Sequence, residues 1–265
     1  MESPKFIMPT SLLDETPPTA LRPIRVHAEE YPESAAAVAP HSHPVHGQLL
    51  APTSGVIRIS TDEGYWMVPP GMALLLPPRI KHAVHCPRGT RMHAVVMAAT
   101  ALTRSPEPAC QVITVNALLG ALIDAMSDMP HDYEIPSPPS RMVDVFADHL
   151  ACARPQPYGL KRPRDSRLRR VTDALAARPG DMRQLAGWEE VAGASTRTLE
   201  RLFQSGTGMS FANYRRQLQM HSAIALLANG MTVGQVAQEL GYATPSAFGV
   251  AFRCVMGTPP SHWRK

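Results

Sequence analysis

The chain has 265 residues, 44% of them hydrophobic, with 26 Lys and Arg against 22 Asp and Glu, a composition that suits two globular domains. Its four cysteines include no CxxC pair, which argues against a zinc finger or a disulfide framework. No apolar run approaches the roughly twenty residues that cross a bilayer, and the N-terminus lacks an apolar signal core. We therefore expect a cytoplasmic protein with no membrane partner.

Charge is distributed unevenly along the chain. From residue 161 onward, 15 Lys and Arg against 7 Asp and Glu give +8, whereas residues 1–160 hold 11 against 15, which gives −4. A basic C-terminal part attracts phosphate backbones and an acidic N-terminal part repels them. We expect any nucleic acid to bind at the C-terminal end, the alternative being a solvated basic face.

In chain order, residues 1–35 are rich in Pro, Glu and Thr, which predicts a flexible arm that contributes at most one edge strand. From about 38 to 100, short apolar runs alternate with Gly and Pro, a pattern typical of an all-β sandwich or small barrel. Two amphipathic helices follow, at about 115–128 and 139–151. Residues 36–152 thus form the predicted N-terminal domain, and the proline-rich, basic segment 153–163 is the predicted linker.

Residues 164–265 are predicted to be all α-helical. The helices fall at about 165–178, 181–191, 196–205, 210–228, 232–239, 245–255 and 259–263. Ser195 and Thr196 suit the N-terminus of the third helix, and Thr244 before Pro245 suits that of the sixth.

One pattern occurs twice in these helices, 49 positions apart. The first copy is Leu199, Phe203, Gly208, Tyr214 and Arg215, and the second is Phe248, Phe252, Gly257, Trp263 and Arg264. Each copy follows a helix that ends at a glycine, Gly193 or Gly241, where a tight turn needs positive φ. The repeat therefore predicts two helix-turn-helix subdomains, 181–205 and 232–256, joined by the helix 210–228.

These residues resemble the AraC-type transcriptional regulators. The resemblance covers about residues 164–265, through RTLERLF, GMSFANYRRQL and PSAFGVAFRCVMGTPPSHWR, and HSHPVHGQLL with VPPGMALLLPPRIKHAV resembles the cupin-type domain of one subgroup. It implies an α+β two-domain protein in which a cupin-like β-barrel with two helices senses a small molecule or metal. The implied protein is not an enzyme: it binds double-stranded operator DNA and a small-molecule effector, and RNA polymerase if it activates transcription.

The resemblance assigns the family's base-reading positions in the first recognition helix to Arg197, Glu200 and Arg201. Arg can bond O6 and N7 of guanine, and Glu can accept from N4 of cytosine, although an arginine can also contact only phosphate. In the second helix the matching residues are small or apolar, so that helix is expected to dock mainly on phosphates. The predicted DNA contacts are Thr196, Arg197, Glu200, Arg201, Thr244, Ser246, Ala247 and Arg253.

One residue departs from the repeat. Ala237 lies four residues before the second turn glycine, but Glu189 takes that place in the first copy. A carboxylate at a close helix crossing is costly unless it is compensated. We expect either that Arg201 or another basic side chain neutralises Glu189, or that the first helix pair is shifted outward.

A second group of candidate site residues comprises His41, His43, Gln48 and His82. In metal-binding cupins an HxH pair, a carboxylate and a distant histidine converge inside the barrel, and here Gln48 takes the carboxylate position. Residues two apart on a strand share a face, so His41 and His43 can ligate together, but a neutral amide is a poor ligand. The sequence establishes no cofactor. A divalent metal is the one candidate, and polar lining of an organic-ligand pocket is the alternative.

The two helices of the N-terminal domain predict a homodimer. Their apolar stripe exceeds what a small barrel covers, unless both helices simply pack on their own barrel. The stripe consists of Leu118, Leu122, Met126, Val145 and Phe146.

Two other functions stay open. A cupin metalloenzyme with a DNA-binding tail would need a firmly held metal, and Gln48 argues against it. A thiol-based redox sensor would use Cys86 beside His82 and His85, because histidines can lower the pKa of a thiol.

Overall fold

The computed structural model describes residues 5–6, 17–31, 36–102, 109–156, 159–256 and 258–263. Gly257 and Arg264 of the repeat lie outside the described residues, as does most of the predicted arm. The chain divides into two compact units, one of Met1–Asp62 and Trp66–Gly159 and one of Glu63–Tyr65 and Leu160–Lys265.

The described residues form twelve strands, most of which belong to the N-terminal unit. They are β1 (Lys5–Phe6), β2 (Ile24–Tyr31), β3 (Ala36–His41), β4 (His46–Ser54), β5 (Ile57–Thr61), β6 (Gly64–Val68), β7 (Met72–Leu76), β8 (His82–Cys86), β9 (Thr90–Ala98), β10 (Gln111–Thr114), β11 (Pro155–Gln156) and β12 (Gly159–Lys161). They form two sheets with the orders β1-β3-β8-β5-β6-β12 and β11-β10-β7-β4-β9-β2. The predicted α+β fold is confirmed, with the N-terminal domain as a two-sheet sandwich.

The central strand β4 separates two environments. It pairs antiparallel with both β7 and β9, and its residues from Gly47 to Pro52 are buried on both faces. Leu49 and Ala51 pack into a core with the helices α2 (Ala117–Ser127) and α3 (Pro138–Ala151), which follow the short α1 (Ala99–Leu102). Because side chains alternate along a strand, Gln48 and Leu50 point to the opposite face, where they line an internal cavity. The two predicted helices of this domain are confirmed.

The predicted arm contains an edge strand, as expected, whereas the predicted linker is shorter than expected. Residues 24–31 form the edge strand β2, whose Ile24 and Val26 are 2% and 3% exposed. Leu160, inside the predicted linker, is fully buried and lies in the core of the C-terminal unit. Both segments carry few apolar residues among charged residues and prolines, so their composition resembles that of loops.

The C-terminal unit is helical apart from its short strand segments. Its helices are α4 (Ser166–Ala177), a 3-10 turn (Leu185–Trp188) that continues as α5 (Glu189–Ala192), α6 (Thr196–Thr207), α7 (Phe211–Ala228), α8 (Val233–Glu239), α9 (Pro245–Met256) and a 3-10 turn (Pro260–Trp263). The helix predicted from residue 181 begins later, because the Asp181 carboxylate accepts from the Arg183 N–H at 3.0 Å in a local turn that competes with helix. Among the described residues, no helix is both long and apolar enough to cross a membrane.

A buried histidine lies within α7. His221 is 4% exposed, and its Nε2 has no hydrogen-bond partner within the described part of the chain. Burial lowers the pKa of His221 from 6.5 to about 4. The folded protein therefore keeps this imidazole neutral at pH values where the unfolded chain protonates it.

The stability of the C-terminal unit should decrease in mild acid because of His221. The unfolded chain binds a proton near pH 6.5 and the folded chain only near pH 4, so the free energy of unfolding falls as pH drops through this window. At pH 5 the loss from His221 is up to about 2 kcal/mol relative to pH 8. His221→Leu should show a shallower decrease in urea unfolding followed by tryptophan fluorescence. A Trp66→Phe background leaves only Trp188 and Trp263 as reporters, and equal pH profiles would contradict the assignment.

Candidate DNA interface and ligand site

The first recognition helix, α6, starts at a tight turn. Gly193 adopts the left-handed conformation with φ 63°, and the Ser195 hydroxyl accepts from the Thr198 N–H at 3.4 Å. Arg197, Glu200 and Arg201 are exposed, and no hydrogen bond or ion pair of their side chains is seen within the described residues. The structure thus places the three predicted base-reading side chains on solvent-facing positions of one helix.

The inner face of each recognition helix is apolar, as the repeat predicts. Leu199 and Phe203 of α6, and Phe248 and Phe252 of α9, are fully buried. The Phe203 ring lies 5.6 Å from the Tyr214 ring, and the Phe252 ring lies 6.3 Å from the ring of Trp263, measured between centroids. Corresponding aromatic residues of the two copies therefore pack in corresponding ways.

The second recognition helix, α9, follows Gly241, which has φ 76°. The Thr244 hydroxyl accepts from the Ala247 N–H at 3.1 Å, which makes Thr244 the N-cap. Ser246, Ala247 and Arg253 are exposed, as expected for DNA contacts.

A surface groove runs along the same helix. Its volume is about 600 Å³, and its lining residues are Ser246, Gly249, Val250, Arg253, Cys254 and Pro260. Gly249, Cys254 and Pro260 were not predicted from the sequence, although helical spacing already places positions 246, 249, 250, 253 and 254 on one face.

Both turns are fixed by a polar side chain from a neighbouring helix. Arg170 of α4 donates from Nε to the Val191 carbonyl at 3.0 Å and from Nη2 to the Ala192 carbonyl. In the second copy, Gln219 of α7 donates from Nε2 to the Leu240 carbonyl at 3.1 Å. These bonds satisfy the free carbonyls at the helix ends and hold each turn against a neighbouring helix.

Glu189 is compensated by Thr196 and not by a basic side chain. Its Oε1 accepts from the Thr196 N–H at 2.5 Å and from the Thr196 hydroxyl at 2.6 Å, and the side chain is exposed. These bonds lower the pKa of the Glu189 carboxyl, the hydroxyl contributing most. The predicted Arg201 partner is wrong, because the first turn of α6 itself supplies the donors.

Four histidines gather where β3, β4 and β8 meet. His41 and His82 are directly paired across β3 and β8, with ring centroids 4.3 Å apart, and His43 lies 5.0 and 5.5 Å from them. One ring nitrogen from each of these three lies within 4.8 Å of the other two. His46, which was not among the predicted site residues, has its ring centroid 4.6 Å from that of His43. His46 and Gln48 alternate on β4, a signal that the sequence already contained.

The histidines of this cluster have ring nitrogens that could bind a metal ion. His41 and His82 can donate from Nδ1 to the carbonyls of Ala39 and Ile80, at 2.8 and 3.0 Å, and that tautomer leaves each Nε2 with a lone pair. The Nε2 atoms of His43 and His82 are buried and have no partner within the described chain. Burial, aided by neighbouring imidazoles, lowers the pKa of His43 to about 3 and of His82 to about 4.

Gln48 and Glu29 both line the cavity beside the cluster. The cavity measures about 10 Å³, and it is lined by Glu29, Val38, His41, Gln48, Leu50, His82, Val84 and Met92. Glu29 comes from β2 and is 4% exposed, with the Tyr31 hydroxyl donating to its Oε2 at 2.5 Å. An acidic group thus reaches the cavity from a segment predicted to be an arm, which is why sequence reasoning missed it.

Cys86 does not have the properties of a redox sensor. The thiol is fully buried, and burial together with the nearby Glu29 charge raises its pKa to about 12. A thiol with that pKa stays protonated and unreactive at neutral pH. His82 and His85 do not change this, because burial also lowers their pKa values and keeps them neutral.

A basic helical unit with two helix-turn-helix motifs and a β-sandwich with an internal polar site define a DNA-binding transcriptional regulator with a ligand-binding domain. Family models match both parts: a helix-turn-helix domain over residues 188–265 and an AraC-like ligand binding domain over residues 24–140. The chain belongs to the AraC-type transcriptional regulators. The predicted family, fold class and small-molecule-sensing regulatory function are confirmed, and DNA is its partner.

Individual relatives have the same regulatory class. The chain is 27% identical over 224 residues to the HTH-type transcriptional regulator NimR of Escherichia coli (strain K12), covering 83% of this chain and 81% of NimR. It is 35% identical over 99 residues to the regulator RipA of Corynebacterium glutamicum, a match covering 37% of this chain and only 30% of RipA. The solved structure of ToxT from Vibrio cholerae aligns over 91% of this chain and 97% of ToxT, with 12% identity and a TM-score of 0.39.

Proposed function

We propose that the first helix-turn-helix reads base sequence through Arg197, Glu200 and Arg201. The observation that carries this proposal is their joint exposure on one helix whose opposite face is buried. Arg and Glu side chains can match guanine and cytosine edges in the major groove, where a recognition helix contacts bases near its N-terminus. Thr196 is the first residue of the helix, and its hydroxyl donates a hydrogen bond to Glu189. We therefore propose a smaller role for Thr196 in DNA contact than the sequence predicted.

The second helix-turn-helix then serves mainly to dock. Thr244, Ser246 and Arg253 contact the phosphate backbone, while Ala247 and the exposed Val250 offer van der Waals contact to sugars or thymine methyl groups. The bridging α7 has 18 residues, which makes it about 27 Å long, a length suited to placing two helices in successive major grooves.

The histidine cluster is the proposed sensing site, with His41, His43 and His82 as the ligands of a divalent transition metal. Three imidazole nitrogens close together, two of them buried without a partner in the described chain, match the preference of zinc, nickel and copper ions for imidazole. Gln48 lines the adjoining cavity and brings no charge to it. A cavity of about 10 Å³ holds a single water-sized group, which favours sensing over turnover of a substrate, so we propose no enzyme activity.

Only two of the five residues predicted for the dimer interface remain exposed enough to form one. Met126 and Phe146 are buried in the N-terminal core and Leu122 is partly buried against it, so these three were wrongly assigned to an interface. Leu118 and Val145 are 46% and 42% exposed on helices that pack together. We propose a homodimer through this remaining face, acting on operator DNA in the cytoplasm, with RNA polymerase as a further partner if it activates.

The operator is first identified by genome-wide mapping of bound DNA. Arg201→Ala should then cost about 1 to 3 kcal/mol in binding to that operator and should relax the sequence preference at one or two base pairs. Arg178→Ala removes the same charge from an exposed position on α4's C-terminal end and serves as the control. The measurement is the dissociation constant for operator and random-sequence duplexes at one salt concentration. An equal loss on both duplexes would reduce Arg201 to a phosphate contact.

The sensing site is tested with the double variant His43→Ala/His82→Ala. After treatment with a chelator, the wild-type chain should take up about one Zn²⁺ or Ni²⁺ per chain in equilibrium dialysis, and the variant none, while both bind operator DNA. The pair His131→Ala/His149→Ala, at exposed positions, is the matched control. Equal metal uptake by the variant and the wild type would remove these histidines from the site, and lost operator binding would make them structural.

Leu118→Glu/Val145→Glu should convert a dimer into a monomer in sedimentation at micromolar concentration, because a charged side chain is costly in an apolar interface. Leu21→Glu changes an equally apolar residue that is 73% exposed in another segment, and should leave the dimer intact. A wild-type chain that sediments as a monomer with and without DNA would rule out the dimer.

A further inference from the structure

We infer that Glu189 is a specificity-determining residue of the first recognition helix, because its carboxylate occupies donors of Thr196 that a DNA phosphate would otherwise take. The inference rests on the proposed function, namely that α6 meets DNA with its N-terminal end. Thr196 is the first residue of α6, and both its N–H and its hydroxyl donate to Glu189 Oε1.

The site of this contact is one where DNA phosphate is normally attracted. The first N–H groups of a helix lack partners within the helix, and together with the helix dipole they favour a negative charge. Ser195 satisfies one of them, the N–H of Thr198, and Glu189 satisfies that of Thr196. The anion that belongs at this helix end is therefore already present in the protein.

The second module lacks this arrangement. Ala237 occupies the position equivalent to Glu189 and is 1% exposed. The first residue of α9 is Pro245, which has no N–H, and Thr244 caps the helix with an uncharged hydroxyl. The two recognition helices thus differ in that only α6 has a carboxylate bound to its first residue.

The fixed carboxylate of Glu189 weakens binding to DNA by charge repulsion. It repels any phosphate that approaches the end of α6, and this repulsion acts in full on random DNA, which is held by phosphate contacts alone. On the correct sequence, contacts of Arg197, Glu200 and Arg201 to base edges fix α6 in the groove, so binding there depends less on a phosphate at the helix end. Glu189 consequently weakens binding to random DNA more than binding to the cognate site, and so raises the ratio between them.

The test compares Glu189→Gln and Glu189→Ala with the control Glu190→Gln in the full-length chain. Glu190 is the adjacent exposed residue of α5, and Glu190→Gln removes the same charge. Within the described residues, the Glu190 side chain makes no hydrogen bond. The probes are a duplex selected from a random-sequence pool by the wild-type chain and a random duplex of equal length. Dissociation constants are measured for both across a salt series, with the thermal midpoint of each variant recorded alongside.

For Glu189→Gln we expect binding to the random duplex to tighten about two- to fivefold, with a smaller gain on the selected duplex. The salt dependence on random DNA should steepen by about 0.9, the value of one added phosphate contact. Glu189→Ala, which copies the second module, should change the ratio in the same direction. Glu190→Gln should change both duplexes equally.

Two results would overturn the inference. Equal shifts in Glu189→Gln and Glu190→Gln on both duplexes would show that only net charge matters. Weaker binding to both duplexes with a lowered thermal midpoint, in Gln and Ala variants alike, would make Glu189 a structural cap. Arg201→Ala measured in parallel keeps the proposals separate: an equal loss on both duplexes there refutes base reading by α6, whereas the Glu189 ratio is judged against Glu190→Gln.

Discussion

The placement of both recognition helices depends on buried side chains four residues apart. Leu199 and Phe203 anchor α6, and Phe248 and Phe252 anchor α9, each pair fully removed from solvent. Removal of a buried aromatic side chain typically costs about 3 to 5 kcal/mol, which is a large part of the stability of a domain of this size. Once this face of the helix is buried, the rotation of the helix is fixed, and the side chains that can reach DNA are those on the opposite face.

The helix-turn-helix architecture could be predicted because its signals are local. Left-handed glycines, N-cap residues and apolar residues at helical spacing all act within a few positions of one another, and the observed α6, α7 and α9 lie within two residues of the predicted bounds. The face shared by His41 and His43 followed from the same kind of local rule. These features require no knowledge of which distant segments meet.

The failures concern contacts between distant segments. Glu29 reaches the cavity only because β2 pairs with β9, and the register of that pairing cannot be read from a segment in which charged and apolar residues alternate. Leu160 is one of few apolar residues among prolines, yet it is fully buried in the same core cluster as Leu168. The apolar stripe of α2 and α3 has the spacing of an interface, but a sheet of the same unit covers Met126 and Phe146. Composition describes a segment, whereas burial depends on its neighbours.

The two copies of the repeat show how one scaffold can hold different recognition chemistry. Leu199 and Phe203 of the first copy correspond to Phe248 and Phe252 of the second, all fully buried, and both turns contain a glycine with positive φ. The exposed positions and the first helical turn are not constrained in this way, and here the copies differ: charged side chains with a carboxylate in the first, small side chains with a proline in the second. Since sequence preference needs contacts that discriminate and non-specific binding needs only positive charge, a module that carries both arginines and a repelling carboxylate is suited to discrimination. The second module, which has no carboxylate at the first turn of its recognition helix, can then contribute affinity and position without a preference of its own.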